Sequence, residues 1–204
     1  MHGPDHARPG YPAGMELVGL VLAAGGGRRY GMAKALVAYR GQPLVRHAVR
    51  VAAEGGCART LVVVGAEADR VRAAAPELAF VDNPEWATGM ASSLRAGLAA
   101  LAGTPATAAL VLLVDMPGVT PAAIARVAAH ASPGALVMGG YGARRGHPVL
   151  LGRDRWAGVA ASATGDHGAR DYLRTHAGEL TVVDVADVAD DTDVDTPEAL
   201  ARFA

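Results

Sequence analysis

The 204-residue sequence has few aromatic residues and one cysteine, and its charges almost cancel. Aromatic side chains make up 4% of the chain although hydrophobic residues make up 51%, so the core must be packed from small aliphatic side chains. Cys57 alone cannot form an internal disulfide, which favours a reducing, cytoplasmic compartment. A formal net charge of -1 gives no long-range field to attract nucleic acid or anionic lipid. We therefore expect neither as a partner.

The sequence also lacks a continuous apolar run suited to a membrane. The stretch Ala96–Val114 carries no charge, but Gly103-Thr104-Pro105 interrupts it. We interpret it as the end of a helix, a turn and a buried strand. Residues 1–15 contain glycine and proline and lack the apolar core of a signal peptide. They are predicted to form a flexible tail ahead of a single domain over residues 16–204.

Short apolar runs alternate with helical patterns along the chain. The runs are continuous, as in strands buried on both faces: Leu17–Ala23, Leu61–Val64, Leu78–Val81, Leu110–Val114, Leu136–Met138, Val149–Leu151 and Leu180–Val183. Helices are predicted over residues 44–52 and 90–101, and after the Thr-Pro pairs at 120 and 196. The alternation predicts a three-layer α/β/α, Rossmann-like fold with a mainly parallel sheet. In such sheets, ligands bind beyond the carboxyl ends of the strands.

A glycine-rich loop with three cations follows the first predicted strand. The residues concerned are Ala23, Ala24, Gly25, Gly26, Gly27, Arg28, Arg29 and Lys34. Glycines let backbone N–H groups approach an anion closely, and arginine and lysine supply charge for phosphate oxygens. A flexible turn with solvated charges is the alternative, but cations directly after a buried strand favour phosphate binding. The loop fits neither a P-loop nor a dinucleotide fingerprint, because no lysine follows the glycines directly and residues 38–50 hold no ribose-binding acid.

Two acidic positions stand at strand and helix ends. Asp115 follows the run Leu110–Val114, where a carboxylate is placed to hold Mg²⁺, which prefers one or two carboxylates plus substrate phosphates. A role for Asp115 as a helix cap is disfavoured because Thr120 already supplies that cap. Asp195 lies in an acidic cluster just before a predicted helix. It is the predicted second Mg²⁺ ligand, with Asp193 as the alternative.

These segments resemble the motifs of MobA-like nucleotidyltransferases of molybdenum cofactor biosynthesis. Residues 22–34 resemble the opening motif of that family, with Gly27 where serine is commoner and Tyr30 where methionine is commoner. Asp115-Met116-Pro117 resembles its metal motif, and residues 193–200 resemble its final acidic motif. The likeness runs from about Leu17 to the C-terminus. It is strongest toward the branch near the molybdopterin cytidylyltransferases.

The resemblance also implies residues for the two substrates and the nucleotidyltransferase version of the Rossmann-like fold. On the nucleotide side it adds Asn83, Ser92 and Ser93, although the two serines could instead cap the following helix. On the acceptor side it implies Gly146, His147, Pro148, Asp166 and Arg170. There, His147 is interpreted as a binding or structural residue, and Asp166 as a candidate helix cap.

The implied reaction is nucleotidyl transfer, in which an acceptor phosphate attacks the α-phosphorus of a nucleoside triphosphate and pyrophosphate leaves. Gly25, Gly26, Gly27 and Arg29 would hold the triphosphate, with Arg28 as an additional contact. Lys34, Arg29 and Asp115 would be the catalytic residues, and Asp115 and Asp195 would bind Mg²⁺. The favoured donor is CTP and the implied acceptor is a molybdopterin-type phosphate.

The sequence is also compatible with three other functions. One is transfer from GTP, or transfer to a sugar or alcohol phosphate. Another is a non-catalytic accessory role, in which the chain binds the cofactor and delivers it to a molybdenum hydroxylase. A third is an NAD(P)-binding oxidoreductase, which the missing ribose-binding acid disfavours.

Overall fold

The computed structural model describes residues 15–203, so most of the predicted tail lies outside the described residues. The strands are β1 (Leu17–Leu22), β2 (Ala38–Tyr39), β3 (Gln42–Pro43), β4 (Arg59–Val64), β5 (Ala79–Asp82), β6 (Ala108–Leu113), β7 (Leu136–Tyr141), β8 (Arg144–Gly152) and β9 (Thr181–Asp184). The α-helices are α1 (Leu44–Glu54), α2 (Ala68–Ala74), α3 (Met90–Ala102), α4 (Pro121–Ala128), α5 (Trp156–Ser162), α6 (Arg170–Thr175) and α7 (Pro197–Ala201). Short 3₁₀ turns cover 34–36, 86–88, 153–155 and 165–167.

A seven-stranded sheet forms the centre of the fold, in the order β5-β4-β1-β6-β8-β7-β9. Every predicted apolar run is a strand of this sheet, and the mainly parallel arrangement is confirmed. Only β8 runs antiparallel to its neighbours within the described sheet. Its reversal follows from the short turn at 142–143, because such a turn joins only antiparallel strands.

The sheet separates two apolar layers, which confirms the three-layer architecture. Leu17 and Val21 of β1 pack into the layer beneath α1, α2 and α4, whereas Val18 and Leu20 pack into the layer beneath α3, α5 and α6. This alternation follows from the two-residue period of a strand. Helices α2, α5 and α6 and the hairpin of β2 and β3 were not predicted. These helices span at most seven residues and so offer little periodicity.

Both predicted Thr-Pro helix starts are confirmed. Thr120 Oγ1 accepts a hydrogen bond from Ala123 N at 3.2 Å, and Thr196 Oγ1 accepts one from Ala199 N at 3.3 Å. The uncharged stretch 96–114 comprises the end of α3, a turn and β6, as predicted. Among the described residues, no helix combines the length and the apolarity that crossing a membrane requires.

Candidate active site

Two adjacent cavities open beyond the carboxyl ends of the central strands β1 and β6. The first has a volume of about 490 Å³ and is lined by the glycine loop together with Lys34, Asp115 and Asp195. The second has a volume of about 590 Å³ and is lined on one side by Gly146 and His147. The cavities share four lining residues: Leu22, Met90, Leu113 and Asp166. Residues predicted to bind the nucleotide thus line the first cavity, and residues predicted to bind the acceptor line the adjacent second cavity.

The glycine loop leaves the sheet after two alanines that still belong to it. Ala23 N donates to Val63 O at 2.9 Å, and Ala24 O accepts from Ala66 N at 3.0 Å. Both alanines are buried, and of the two only Ala24 lines the first cavity. Ala23 therefore positions the loop through its backbone. A direct contact between Ala23 and a nucleotide stays a prediction.

The loop turns sharply at Gly27. Its φ of +56° favours glycine, and a side chain there would overlap the Met32 carbonyl oxygen. The Gly27 carbonyl oxygen accepts hydrogen bonds from Tyr30 N at 2.9 Å and from Gly31 N at 2.8 Å. This turn brings the cationic segment that follows back toward the cavity.

Lys34 joins the two predicted Mg²⁺ ligands. Its Nζ donates to Asp115 Oδ2 at 2.7 Å and to Asp195 Oδ1 at 2.5 Å. Arg29 Nη1 donates to the other Asp195 oxygen at 2.5 Å. Four residues that the sequence selected for their chemistry, from three distant segments, therefore form one cluster. Arg28 lines the same cavity but makes no ion pair within residues 15–203.

A backbone contact explains why Asp195 reaches this cluster. The neighbouring Val194 is fully buried, and its N–H donates to Asp115 O at 2.8 Å. The segment 190–195 therefore lies along the turn that follows β6, with Asp190 N donating to Gly118 O at 3.1 Å. Asp193, in contrast, lines the second cavity. Of the two candidates, only Asp195 contacts Lys34.

The charges in the cluster stabilise one another. Burial on its own would lower the pKa of Lys34, but the contacts with Asp115 and Asp195 leave that pKa above its ordinary value. The hydrogen bond from Lys34, together with the charge of Arg29, lowers the pKa of the Asp195 carboxyl. Lys34 and Asp195 are thus charged at neutral pH, and each is held by its partner.

The pair of carboxylates fits a divalent cation that also binds phosphate. One nitrogen contacts an oxygen of each carboxylate, so these oxygens lie no farther apart than the sum of the two contacts. Two oxygens on one octahedral Mg²⁺, each at about 2.1 Å, lie about 3 Å apart when adjacent and about 4 Å apart when opposite, and both spacings fall within that upper bound. No cluster of three or more metal-ligating side chains occurs anywhere in residues 15–203. A metal held by Asp115 and Asp195 would therefore complete its shell with phosphate oxygens and water.

The segment between β5 and α3 is fixed by a buried hydrogen-bond network. Asn83 Nδ2 donates to Ser92 Oγ at 2.8 Å and to Ser93 Oγ at 3.0 Å, and all three side chains are buried. Asn83 Oδ1 accepts from Glu85 N at 3.0 Å. Ser93 lines the first cavity, whereas Asn83 and Ser92 lie behind its wall. For these two, the structure assigns an internal partner, and nucleotide contact stays a prediction.

Trp86 lines the first cavity, although it was not among the predicted site residues. Its indole ring lies 3.5 Å from the position that a Cβ on Gly26 would occupy. Gly65 leaves the space for this ring, because any side chain there would overlap it. The sequence did offer a signal for Trp86, because it is one of only two tryptophans in the chain and lies within the segment that contains Asn83 and Ser92.

The second cavity combines an apolar floor with a cationic rim. The floor includes aliphatic and methionine side chains from the sheet and α3: Leu94, Val111, Met138, Val149 and Leu151. Arg170 and the unpredicted Arg145 and Arg174 lie at the rim. Pro148 is buried in β8 outside this lining. The structure thus gathers most of the predicted acceptor residues, with Pro148 set back from them.

Asp166 and His147 occupy contrasting positions around this cavity. Asp166 Oδ1 accepts from Met90 N, at the first residue of α3, at 3.4 Å, and its role as a helix cap stays a prediction. His147 lines the second cavity, and its burial lowers the pKa of its imidazole to about 4. The ring is therefore neutral at physiological pH.

His47, which the sequence argument did not select, supports the turn after Asp115. It is buried in α1, and its Nε2 lies 3.1 Å from Pro117 O, to which it donates. Arg50 donates to the other ring nitrogen at 3.1 Å, which fixes this tautomer. The Asp115–Pro117 turn is therefore held from below by a helix of the first layer.

The fold and the paired carboxylates define a nucleotide-binding α/β protein, and the comparisons identify its family. The MobA-like NTP transferase domain matches residues 19–180. The chain therefore belongs to the MobA-like NTP transferase family. A relative at 36% identity over 197 residues is the nicotine blue oxidoreductase of Paenarthrobacter nicotinovorans, with 92% of this chain and 96% of the relative covered.

Solved structures share the same fold. Rv0371c from Mycobacterium tuberculosis H37Rv matches with a TM-score of 0.77 at 28% identity, covering 93% of this chain and 98% of that one. The same protein in complex with manganese matches with a TM-score of 0.73 at 26% identity and equal coverage. A nucleotidyl transferase from Methanothermobacter thermautotroptrophicus matches with a TM-score of 0.80 at 22% identity, covering 92% and 95%.

Proposed function

We propose that this protein transfers a nucleoside monophosphate, preferentially CMP from CTP, to the phosphate of a molybdopterin-type acceptor. The observation that carries the proposal is the cluster of Lys34, Asp115 and Asp195 opposite the glycine loop. Membership of the MobA-like NTP transferase family supports the reaction class. The preference for CTP and the choice of acceptor rest on the sequence motifs.

The residues of the first cavity divide the work between binding and charge stabilisation. Backbone N–H groups at Gly25 and Gly26 and the Arg28 guanidinium bind the triphosphate. Asp115 and Asp195 would hold Mg²⁺, which when bound would neutralise charge on the reacting phosphates. The divalent site is supported by a manganese complex of a relative with the same fold.

Lys34 stabilises the negative charge that develops around the α-phosphate as pyrophosphate leaves. An acceptor phosphate is already ionised at neutral pH, so the reaction requires neither a covalent nucleophile nor a strong base. The neutral imidazole of His147 agrees with a positioning role in the second cavity. Catalysis then consists of alignment and electrostatic stabilisation.

Pyrophosphate release tests the proposal. The protein is incubated with Mg²⁺, a molybdopterin acceptor and CTP, GTP, ATP or UTP in turn, and released pyrophosphate is quantified. CTP is expected to give the highest rate, and Asp195→Asn should lower that rate about 100-fold or more, as loss of a transition-state contact does. Glu198→Gln is the control, because Glu198 lies three residues beyond Asp195 in the first turn of α7, is exposed and lines neither cavity. Equal loss in both variants would refute the assignment of Asp195.

Oxidoreductase activity is the second candidate function, because the nicotine blue oxidoreductase shares 36% identity with this chain. In a dinucleotide-binding fold, an acid beyond the second strand binds the ribose. Glu67 follows β4 beside β1, but its Oε1 accepts from Ala33 N at 2.8 Å and its other oxygen pairs with Arg70. This engagement disfavours a nicotinamide dinucleotide in the first cavity.

The two candidates give different products from the same preparation. Oxidation of NADH or NADPH with nicotine blue as acceptor, without pyrophosphate release from any nucleoside triphosphate, would replace transferase activity by the second candidate. Binding of the molybdopterin acceptor without either reaction would instead favour an accessory protein for a molybdenum hydroxylase.

A further inference from the structure

The contact between Lys34 and both carboxylates has a consequence for the order in which ligands bind. We propose that the Lys34 ammonium is an internal competitor of the divalent cation, so that metal binds tightly only together with a triphosphate. This inference rests on the proposed function, because it takes Asp115 and Asp195 as the metal ligands.

The geometry gives the ammonium and a metal the same oxygens. Lys34 Nζ contacts Asp115 Oδ2 at 2.7 Å and Asp195 Oδ1 at 2.5 Å. The second Asp195 oxygen accepts from Arg29. Both Asp195 oxygens therefore already accept from a cation, so a metal that bridges the two carboxylates must compete with Lys34 or Arg29 for Asp195, and with Lys34 for Asp115 Oδ2.

The burial of the cluster makes this displacement costly. The side chains of Lys34, Asp115 and Asp195 are 15%, 19% and 33% exposed. A charge that loses its partner in such surroundings is poorly compensated by water. A divalent cation alone would gain two carboxylates but would place two more positive charges beside the Lys34 ammonium, whose counter-ions it would share.

A triphosphate removes this cost. Lys34, Arg29 and the glycine loop line one cavity, so phosphate oxygens bound there lie within the volume that both cations also face. Lysine has a flexible four-carbon stem and can exchange one anionic partner for another. When the cations turn to phosphate oxygens, both carboxylates become available to the metal.

The result is positive coupling between metal and nucleotide, and the coupling is reciprocal. Coupling between two ligands typically changes affinity between about 5-fold and 150-fold. Removing the Lys34 ammonium should therefore raise the affinity of the protein for the metal alone by a similar factor. A lysine that bound only the α-phosphate would not have this effect.

Direct binding of Mn²⁺ tests the inference without any turnover. The electron paramagnetic resonance signal of free Mn²⁺ is titrated with wild-type protein, Lys34→Met and Lys34→Gln, with no nucleotide present. Both variants should bind Mn²⁺ at least about tenfold more tightly than the wild type. Circular dichroism establishes that each variant is folded, and two substitutions guard against failure of one.

Two controls separate competition from a general change of charge. Arg28→Met also removes one positive charge from the first cavity, but Arg28 bridges no carboxylates. It should leave the affinity for Mn²⁺ within about threefold of the wild type, because an exposed charge acts through solvent. Adding Asp115→Asn to Lys34→Met should abolish the tight site.

In a second experiment, inorganic tripolyphosphate is added to wild-type protein, so that Lys34 is drawn from the carboxylates by phosphate and not removed by a substitution. With this probe, wild-type protein should bind Mn²⁺ more tightly than it does alone, after correction for the complex that Mn²⁺ and tripolyphosphate form in solution. Equal Mn²⁺ affinity of wild type, Lys34→Met and Lys34→Gln would overturn the inference while leaving the metal site intact. Absence of Mn²⁺ binding in every variant, with and without tripolyphosphate, would overturn the metal site of the proposed function as well.

Discussion

Three glycines of the loop allow its shape and its function to be tested separately by the same substitution, glycine to alanine. Gly27 has a φ of +56° and a Cβ there would overlap the Met32 carbonyl oxygen. Gly31 has a φ of +83° with open space around a Cβ. Gly25 has no positive φ, and a Cβ there would have nothing within 4 Å. Alanine at Gly27 would thus combine backbone strain with a collision, alanine at Gly31 would cause strain alone, and alanine at Gly25 would cause neither.

The expected stabilities follow from these differences. A non-glycine residue in the left-handed region costs about 1–2 kcal/mol, whereas replacing glycine stiffens the unfolded chain and returns about 0.4–1 kcal/mol. Gly31→Ala should therefore destabilise by roughly 1 kcal/mol, and Gly27→Ala by more than about 2 kcal/mol because its Cβ also meets backbone. Gly25→Ala should be neutral or slightly stabilising. Urea unfolding of the three variants measures this order.

Gly25→Ala should nevertheless impair function. Its methyl group occupies space in the first cavity where backbone N–H groups approach phosphate. Tripolyphosphate or CTP should bind about tenfold more weakly, equivalent to about 1.4 kcal/mol, and calorimetric titration measures the change. Wild-type affinity in Gly25→Ala would refute phosphate binding by this loop. Equal stability of Gly27→Ala and Gly31→Ala would refute the turn geometry.

Other side chains give further predictions. The folded pKa of His147 is about 4, against about 6.5 in the unfolded chain, so the unfolded state binds more protons between these values. Stability should therefore fall as pH drops from 6.5 to 4, and urea titrations of His147→Gln should show a shallower fall. His47→Leu should destabilise by about 1–3 kcal/mol in the same assay, because it leaves Pro117 O without its donor. CTP should change the fluorescence of Trp156→Phe but not that of Trp86→Phe, since Trp86 lines the first cavity.

Most of the sheet could be predicted from the sequence because its strands are buried on both faces. A short, continuous aliphatic run such as Leu17–Ala23 is typical of a strand that is covered on both faces. The direction of β8 could not be predicted in the same way. Its apolar part is short, and the residues that lead into it, Arg144 to Gly146, are charged or small. The direction of β8 depends on the turn at 142–143, and the pattern of hydrophobic residues does not indicate that direction.

For the candidate site, the sequence indicated residue types but not their contacts. Asp195 was selected for its position before a helix, yet its place beside Lys34 depends on a backbone hydrogen bond from Val194 to Asp115. Asn83 was selected as a polar residue at a strand end, and its amide instead binds two serines inside the protein. Such outcomes depend on long-range packing, which one sequence does not encode in its local pattern.

The charged cluster itself argues for a role in ligand binding. Buried ion pairs add little to stability, because desolvation offsets most of their attraction, and apolar replacements of similar volume are often equally stable. Lys34, Asp115 and Asp195 therefore need another explanation than the free energy of folding. A site that must receive a polyanion and a cation supplies it: opposite charges neutralise each other before binding and separate toward their respective ligands afterwards. The cluster therefore favours a ligand that carries phosphates and binds together with a cation, as a nucleoside triphosphate does.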